Sequence, residues 1–150
     1  MPAPSSVRAR KPIGTPPPES KLRKHADYQR VYREGKRQSL PLMTFFFAAR
    51  KPQDAAGGFE TNLRSRVGLT AGRVLGNAVV RNRIKRRMRQ AIRQAQTELT
   101  ASVDVVLHPR RAVLDAEFSL IERDVLRAFR AVELALRKDR DVLSGGEIQQ

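Results

Sequence analysis

Residues 66–107 read RVGLTAGRVLGNAVVRNRIKRRMRQAIRQAQTELTASVDVVL, and their pattern decides the fold. Arg66 to Thr70 is a strand, with Val67 and Leu69 on one face. Val103 to Leu107 is another, stopped by Pro109. Between them, Val80, Ile84, Met88, Ala91, Ala95 and Leu99 recur at helical spacing, so a helix from about Ala78 to Leu99 docks on a core by one stripe. Strand–helix–strand predicts a parallel crossover, which general chain geometry makes right-handed in about 98% of cases.

The remaining arc of that helix carries charge of one sign. Arg73, Arg81, Arg83, Lys85, Arg86, Arg87, Arg89 and Arg93 lie in or beside it with no acid among them. A helix that is merely solvated interleaves Glu with Lys. Cations that repel one another on one element instead fit a polyanion, whose phosphates turn repulsion into attraction and counterion release. Gly76-Asn77 closes a turn, with Asn77 a good N-cap. Arg81 and Arg83 then oppose the positive end of the helix dipole, a placement that fits an anion seated at the helix start.

Working outward, Lys21 to Gly35 reads as a first helix with Leu22, Tyr28, Val31 and Tyr32 on one face and Gly35 as its stop. Leu40 to Ala49 is a strand around Phe45, Phe46 and Phe47, apolar on both faces. Residues 51–65 form a polar loop. A last helix starts at Ser119, where Ser119 and Glu122 fit a capping box, and continues through Ile121, Val125, Phe129, Val132 and Leu136. The order helix–strand–strand–helix–strand–helix gives an α/β (α+β sandwich) class, with helices packed on one small sheet. The expected organisation is a disordered Pro-rich tail over 1–20, a nucleic-acid-binding domain over 21–138, and a frayed tail over 139–150.

Composition excludes several functions. The chain has 150 residues, a net charge of +15 and no cysteine, so one domain is expected and thiol chemistry is ruled out. His25 and His108 are far apart. Asp27, Glu34, Asp54 and Glu60 are scattered without metal-ligand spacing and read as surface solubility, so no nuclease site and no metal site is assigned. No apolar run approaches the roughly 20 residues of a membrane span, and the N-terminus lacks an apolar signal core. A cytoplasmic protein without a membrane partner is the expectation. Tyr28 and Tyr32, four residues apart, suit either a core or a platform for unpaired bases.

Arg66-Val-Gly-Leu-Thr70, then Gly76-Asn-Ala-Val-Val-Arg-Asn-Arg-Ile-Lys-Arg-Arg-Met-Arg89, closely resembles the signature of the bacterial ribonuclease P protein subunit, centred on Arg81-Asn82-Arg83. Asp27-Tyr-Gln-Arg-Val-Tyr-Arg-Glu-Gly35 is similar to that family's first helix. The resemblance spans roughly Lys21 to Leu136. It implies a protein that partners a catalytic RNA and assists Mg²⁺-dependent removal of the 5′ leader from precursor tRNA. The RNA, with Mg²⁺ held mainly by it and by the substrate, performs the hydrolysis, and no catalytic residue lies in the protein. It implies that Arg73, Asn77, Arg81, Asn82, Arg83, Lys85, Arg86 and Arg89 contact the catalytic RNA. It places Tyr28, Tyr32, Phe45 and Phe47 in a leader cleft, with the assignment among the three phenylalanines left open by parity. The family's crossover is left-handed, against the general rule. Departures are Ala71-Gly72-Arg73 where the family has a more cationic run, Tyr28 where it has Phe, and His108 before Pro109 where it tends to have a basic residue, which leaves Arg110 only weakly implied. Two other readings are a structural RNA-binding protein such as a ribosomal component, and a DNA-binding helix-turn-helix. The second needs a short helix where Leu69 to Gly76 reads as strand and turn, so no DNA partner is expected.

Overall fold

The computed structural model describes residues 20–50 and 64–148, with side chains through residue 139. Residues 1–19 of the expected N-terminal tail and most of the polar loop lie outside the described residues. The elements are α1 (His25–Glu34), β1 (Lys36–Ser39), β2 (Met43–Ala49), β3 (Arg66–Leu69), α2 (Ala78–Ala95), β4 (Val103–Pro109) and α3 (Phe118–Ile148). The strands form one sheet in the order β1-β2-β4-β3. β2 runs antiparallel to β1 and β4, whereas β3 is parallel to β4, so α2 is the crossover between two adjacent strands.

Side-chain alternation divides the sheet into two faces. Met43, Phe45 and Phe47 of β2 and Val103, Val105 and Leu107 of β4 point to the face covered by α2 and α3. The expected stripes of both helices land there: Ile84 and Met88 from α2, and Ile121, Val125, Phe129 and Val132 from α3, are fully buried. Burying a residue such as Phe45 or Phe129 stabilises the fold by about 1.5–3 kcal/mol. The other face carries Ala48 and Val106 and receives α1 through Val31, with Leu22 closing that small core.

Several boundaries differ from expectation for identifiable reasons. α1 begins at His25 rather than Lys21, because Lys21 and Leu22 pair with the edge of β3: the Leu22 N–H donates to the Val67 carbonyl at 3.1 Å. β1 was not expected; its Lys-Arg-Gln-Ser sequence is exposed throughout and carries no apolar alternation. Pairing with β2 alone makes it a strand. α2 ends in a 3₁₀ turn at Gln96–Glu98, so Leu99 lies beyond the helix although it is buried. β4 runs on to Pro109 instead of stopping before it, with Pro109 opposite Met43. α3 begins at Phe118, so Ser119 lies inside its first turn and is not the cap of the expected box; the Leu120 N–H donates to the Glu117 carbonyl at 2.9 Å. The expected boundary at Asp139 falls inside α3, which continues to Ile148, and Asp139 pairs with Lys36 of β1 at 3.0 Å. No helix among the described residues is long and apolar enough to cross a membrane.

Candidate nucleic-acid interface

α1 crosses the sheet face opposite the main core, and an ionic cluster fixes its angle. Asp104 of β4 is fully buried. Arg66 of β3 grips it with Nε at 2.8 Å and Nη2 at 2.7 Å, and reaches Asp27 of α1 at 3.3 Å. Arg30 of α1 donates to the same Asp104 carboxylate. Asp27 is therefore an anchor and not a solubilising surface acid. The two acids and two bonded arginines tie α1 to β3 and β4 at one end.

Beyond this cluster α1 stands off the sheet, and aromatic rings line the opening. Tyr28 lies over Gly68, where a Cβ would come within 2.5 Å of its hydroxyl oxygen. That hydroxyl donates to the Leu22 carbonyl at 3.1 Å, and burial raises its pKa. Tyr32 sits 6.5 Å from Tyr28, meets Phe46 edge-on at 5.1 Å, and bonds its hydroxyl to His108 Nε2 at 2.9 Å. Phe46 and His108 are 5.2 Å apart, with the Arg37 guanidinium 6.0 Å from the Phe46 ring centre. Burial, and then the Arg37 charge, lower the His108 pKa below its usual value. Both effects disfavour the imidazolium, and the Tyr32 hydroxyl and His108 Nε2 share one hydrogen bond whose direction follows the imidazole tautomer.

Phe45 and Phe47 do not line this opening. Both are fully buried on the far face, stacked at 6.1 Å under α2 and α3. Strand parity sends Phe46 to the cleft instead, which corrects the sequence assignment. The signal was present in the alternation: Met43, Phe45 and Phe47 form the heavier set and so face the larger core, leaving Thr44, Phe46 and Ala48 for the cleft. His108 was missed as a cleft residue because its strand was expected to end at Leu107, and Arg37 because β1 was not foreseen.

A groove of about 490 Å³ opens between α1 and the end of β3, and Lys85 of α2 lines it together with Tyr28, Tyr32, Arg23 and Thr70. The aromatic strip therefore meets the cationic helix. At the start of α2, the Asn77 side chain accepts the Val80 N–H at 3.0 Å, the cap the sequence predicts. Gly76 has φ of 138°, and a Cβ there would lie 3.1 Å from the Val80 side chain. No acid lies in the first turn. Arg73, Asn82, Arg83, Arg86 and Arg89 are exposed, while Arg81 and Lys85 are half-buried. Val74 and Val79, at 91% and 75% exposed, stand among them, so this surface offers apolar contact as well as charge. Sequence reasoning passed over both valines, although neither falls on the core stripe.

Not every cation of the run is outward. Arg87 donates to the carbonyls of Val113 and Leu114, each at 2.8 Å, and so holds the 3₁₀ turn Arg111–Leu114 against α2. Arg111 in turn donates to the Leu75 carbonyl at 3.1 Å. Arg110 is exposed at the far end of the aromatic strip and reaches Thr44 Oγ1 at 3.3 Å.

A groove of half-exposed rings that abuts a helix of outward arginines is the pattern of an RNA-binding protein, here of the α+β class. A family model for ribonuclease P matches residues 17–133. The chain is 36% identical over 113 residues to the ribonuclease P protein component of Brucella melitensis, covering 74% of this chain and 78% of that protein. It is 30% identical over 115 residues to the component of Bacillus velezensis, covering 77% and 90%. The fold matches the Staphylococcus aureus RNase P protein with a TM-score of 0.60 at 22% identity over 75% of this chain and 94% of that one. It matches the Thermotoga maritima protein at 0.61 and 22%, over 74% and 96%. This chain belongs to the ribonuclease P protein family, the protein subunits of an endoribonuclease that processes tRNA.

Proposed function

We propose that the aromatic groove holds the single-stranded 5′ leader of precursor tRNA while the outward face of α2 seats on the catalytic RNA. The observation that carries this reading is the junction at Lys85, where the strip of half-exposed rings meets the cationic helix. Tyr32, Phe46 and His108 offer faces on which unpaired bases stack, and Arg37 and Lys85 flank the backbone path. Arg73, Arg81, Arg83, Arg86 and Arg89 supply phosphate contacts to the catalytic RNA, with Asn77 and Asn82 at the helix start where backbone N–H groups converge.

The protein's work is binding and orientation. Asp27 and Asp104 are committed to arginines, and Asp124 accepts the Leu42 N–H at 3.0 Å. Such carboxylates do not fit a resident metal, and no group of three or more acids, histidines or cysteines among the described residues is placed to hold one. Mg²⁺ belongs on this reading to the catalytic RNA and the substrate, and hydrolysis to that RNA, in the cytoplasm.

Tyr32→Ala tests the groove better than a Tyr28 variant, because the Tyr28 hydroxyl and ring also hold the segment before α1. Affinity for precursor tRNA with a leader should fall by about 1–3 kcal/mol, the range for one stacked base, and affinity for leaderless tRNA should stay unchanged. Equal losses for both substrates, with the circular dichroism spectrum intact, would contradict a leader groove.

A further inference from the structure

A second pocket, of about 300 Å³, lies beside the outer edge of β3, where Lys21 and Leu22 pair with it. Its wall is the short segment before α1, and three bonds hold that wall in place. The Leu22 N–H donates to the Val67 carbonyl at 3.1 Å, Gln96 Nε2 donates to the Ser20 carbonyl at 3.3 Å, and the Tyr28 hydroxyl donates to the Leu22 carbonyl at 3.1 Å. The floor is apolar, from Leu22, Leu69 and Ile92, whereas the rim carries Lys21, Arg23, Arg89 and Arg93 and no acid. Lys21, Arg23, Arg89 and Arg93 are exposed. Arg23, Tyr28 and Leu69 are shared with the aromatic groove, so the two openings are continuous around the sheet edge.

We propose that this edge pocket is a second nucleotide site, taking one unpaired RNA nucleotide with its base on the apolar floor and its phosphate against Arg89 and Arg93. The volume sits at the lower end of the range of about 300–1,000 Å³ for small-molecule sites, which suits a single nucleotide and excludes a duplex. Four cations without a counter-acid give the phosphate a partner, and the hydrophobic floor gives the base one. The strand concerned is either the leader, continuing from the groove, or an unpaired segment of the catalytic RNA. The chemistry is the same for both.

Isotope-labelled protein titrated with uridine 5′-monophosphate reads the two openings separately, since Ile92 and Gln96 report the pocket and Tyr32 and His108 the groove. Saturable shifts at Ile92 and Gln96, with uridine alone and inorganic phosphate alone each at least about tenfold weaker, are the expected result. Arg93→Ala should weaken the pocket response about tenfold, the effect of losing one charge-assisted hydrogen bond, with Arg93→Lys restoring part of it. Shifts confined to Tyr32 and His108, or phosphate binding as well as the nucleotide, would overturn the site without touching the groove reading. The chain has no cysteine, so a photolabel on Lys21→Cys at the pocket rim, in the reconstituted complex with precursor tRNA, identifies the source. Attachment to a leader nucleotide or to an unpaired nucleotide of the catalytic RNA supports the site. Attachment to duplex alone, or no more than from Arg127→Cys on α3, overturns it.

Discussion

His108 stands where two demands on a residue meet: it fills the floor of the cleft and it shares a hydrogen bond with the Tyr32 hydroxyl. Burial and Arg37 of β1 both disfavour the imidazolium, so its folded pKa lies below the unfolded value near 6.5. At pH 8 both states are neutral and the residue gives stability no pH dependence. As pH falls below about 6.5 the unfolded chain takes up the proton first, and stability declines until the folded pKa is passed. Comparing urea midpoints at pH 8 and pH 5 for wild type and His108→Gln checks this. The wild type should lose more stability on acidification than the variant; equal losses would show that His108 does not carry the titration. The hydroxyl of Tyr32 explains the pairing: where a phenylalanine would offer only a face, tyrosine also fixes the orientation of the neighbouring ring.

At the scale of elements, the position of α1 sets the width of the groove, and Asp104 sets the position of α1. A fully buried carboxylate between Arg66 and Arg30 contributes little net stability as a pair, but its removal leaves two largely covered cations short of their central acid, with only Asp27 and Glu34 at the margin. Asp104→Ala should therefore destabilise the fold by about 3–5 kcal/mol, measured by denaturant unfolding, and Asp104→Asn should be milder because it retains an acceptor. An Asp104→Ala protein as stable as wild type would show that α1 is held by Val31 and Leu22 alone. Little of this cluster was legible in the sequence. Asp27 looked like a surface acid because its partner lies 39 residues away on β3. β1 was illegible for a related reason: its side chains are exposed, and only its pairing with β2 makes it a strand. The α2 and α3 stripes, by contrast, were legible almost to the residue, since helical periodicity is a local signal and these helices bury a single face. Phe45 and Phe47 show the boundary between the two cases. Their shared face was readable, and weighing it against Thr44, Phe46 and Ala48 would have turned it to the larger core; that weighing needed the second layer to be placed as well.

For the whole molecule, charge and fold act together. One face of the sheet is given to a conventional core beneath α2 and α3. The other is left half-covered by α1, so that Tyr28, Tyr32 and Phe46 remain partly exposed. α2 serves both sides, with its apolar stripe in the core and its cations outward. Arg87 and Arg111 are diverted to hold the neighbouring turn in place. The central claim is that this outward face is the seat of the catalytic RNA, and the most direct measurement is a titration of that RNA with Arg83→Ala at several salt concentrations. Arg83 is exposed at the start of α2, so its loss should leave the fold intact. The account predicts weaker binding, with a dependence of log affinity on log salt flattened by about 0.7–0.9 for the one lost phosphate contact. A folded Arg83→Ala protein with wild-type affinity and an unchanged salt slope would contradict it.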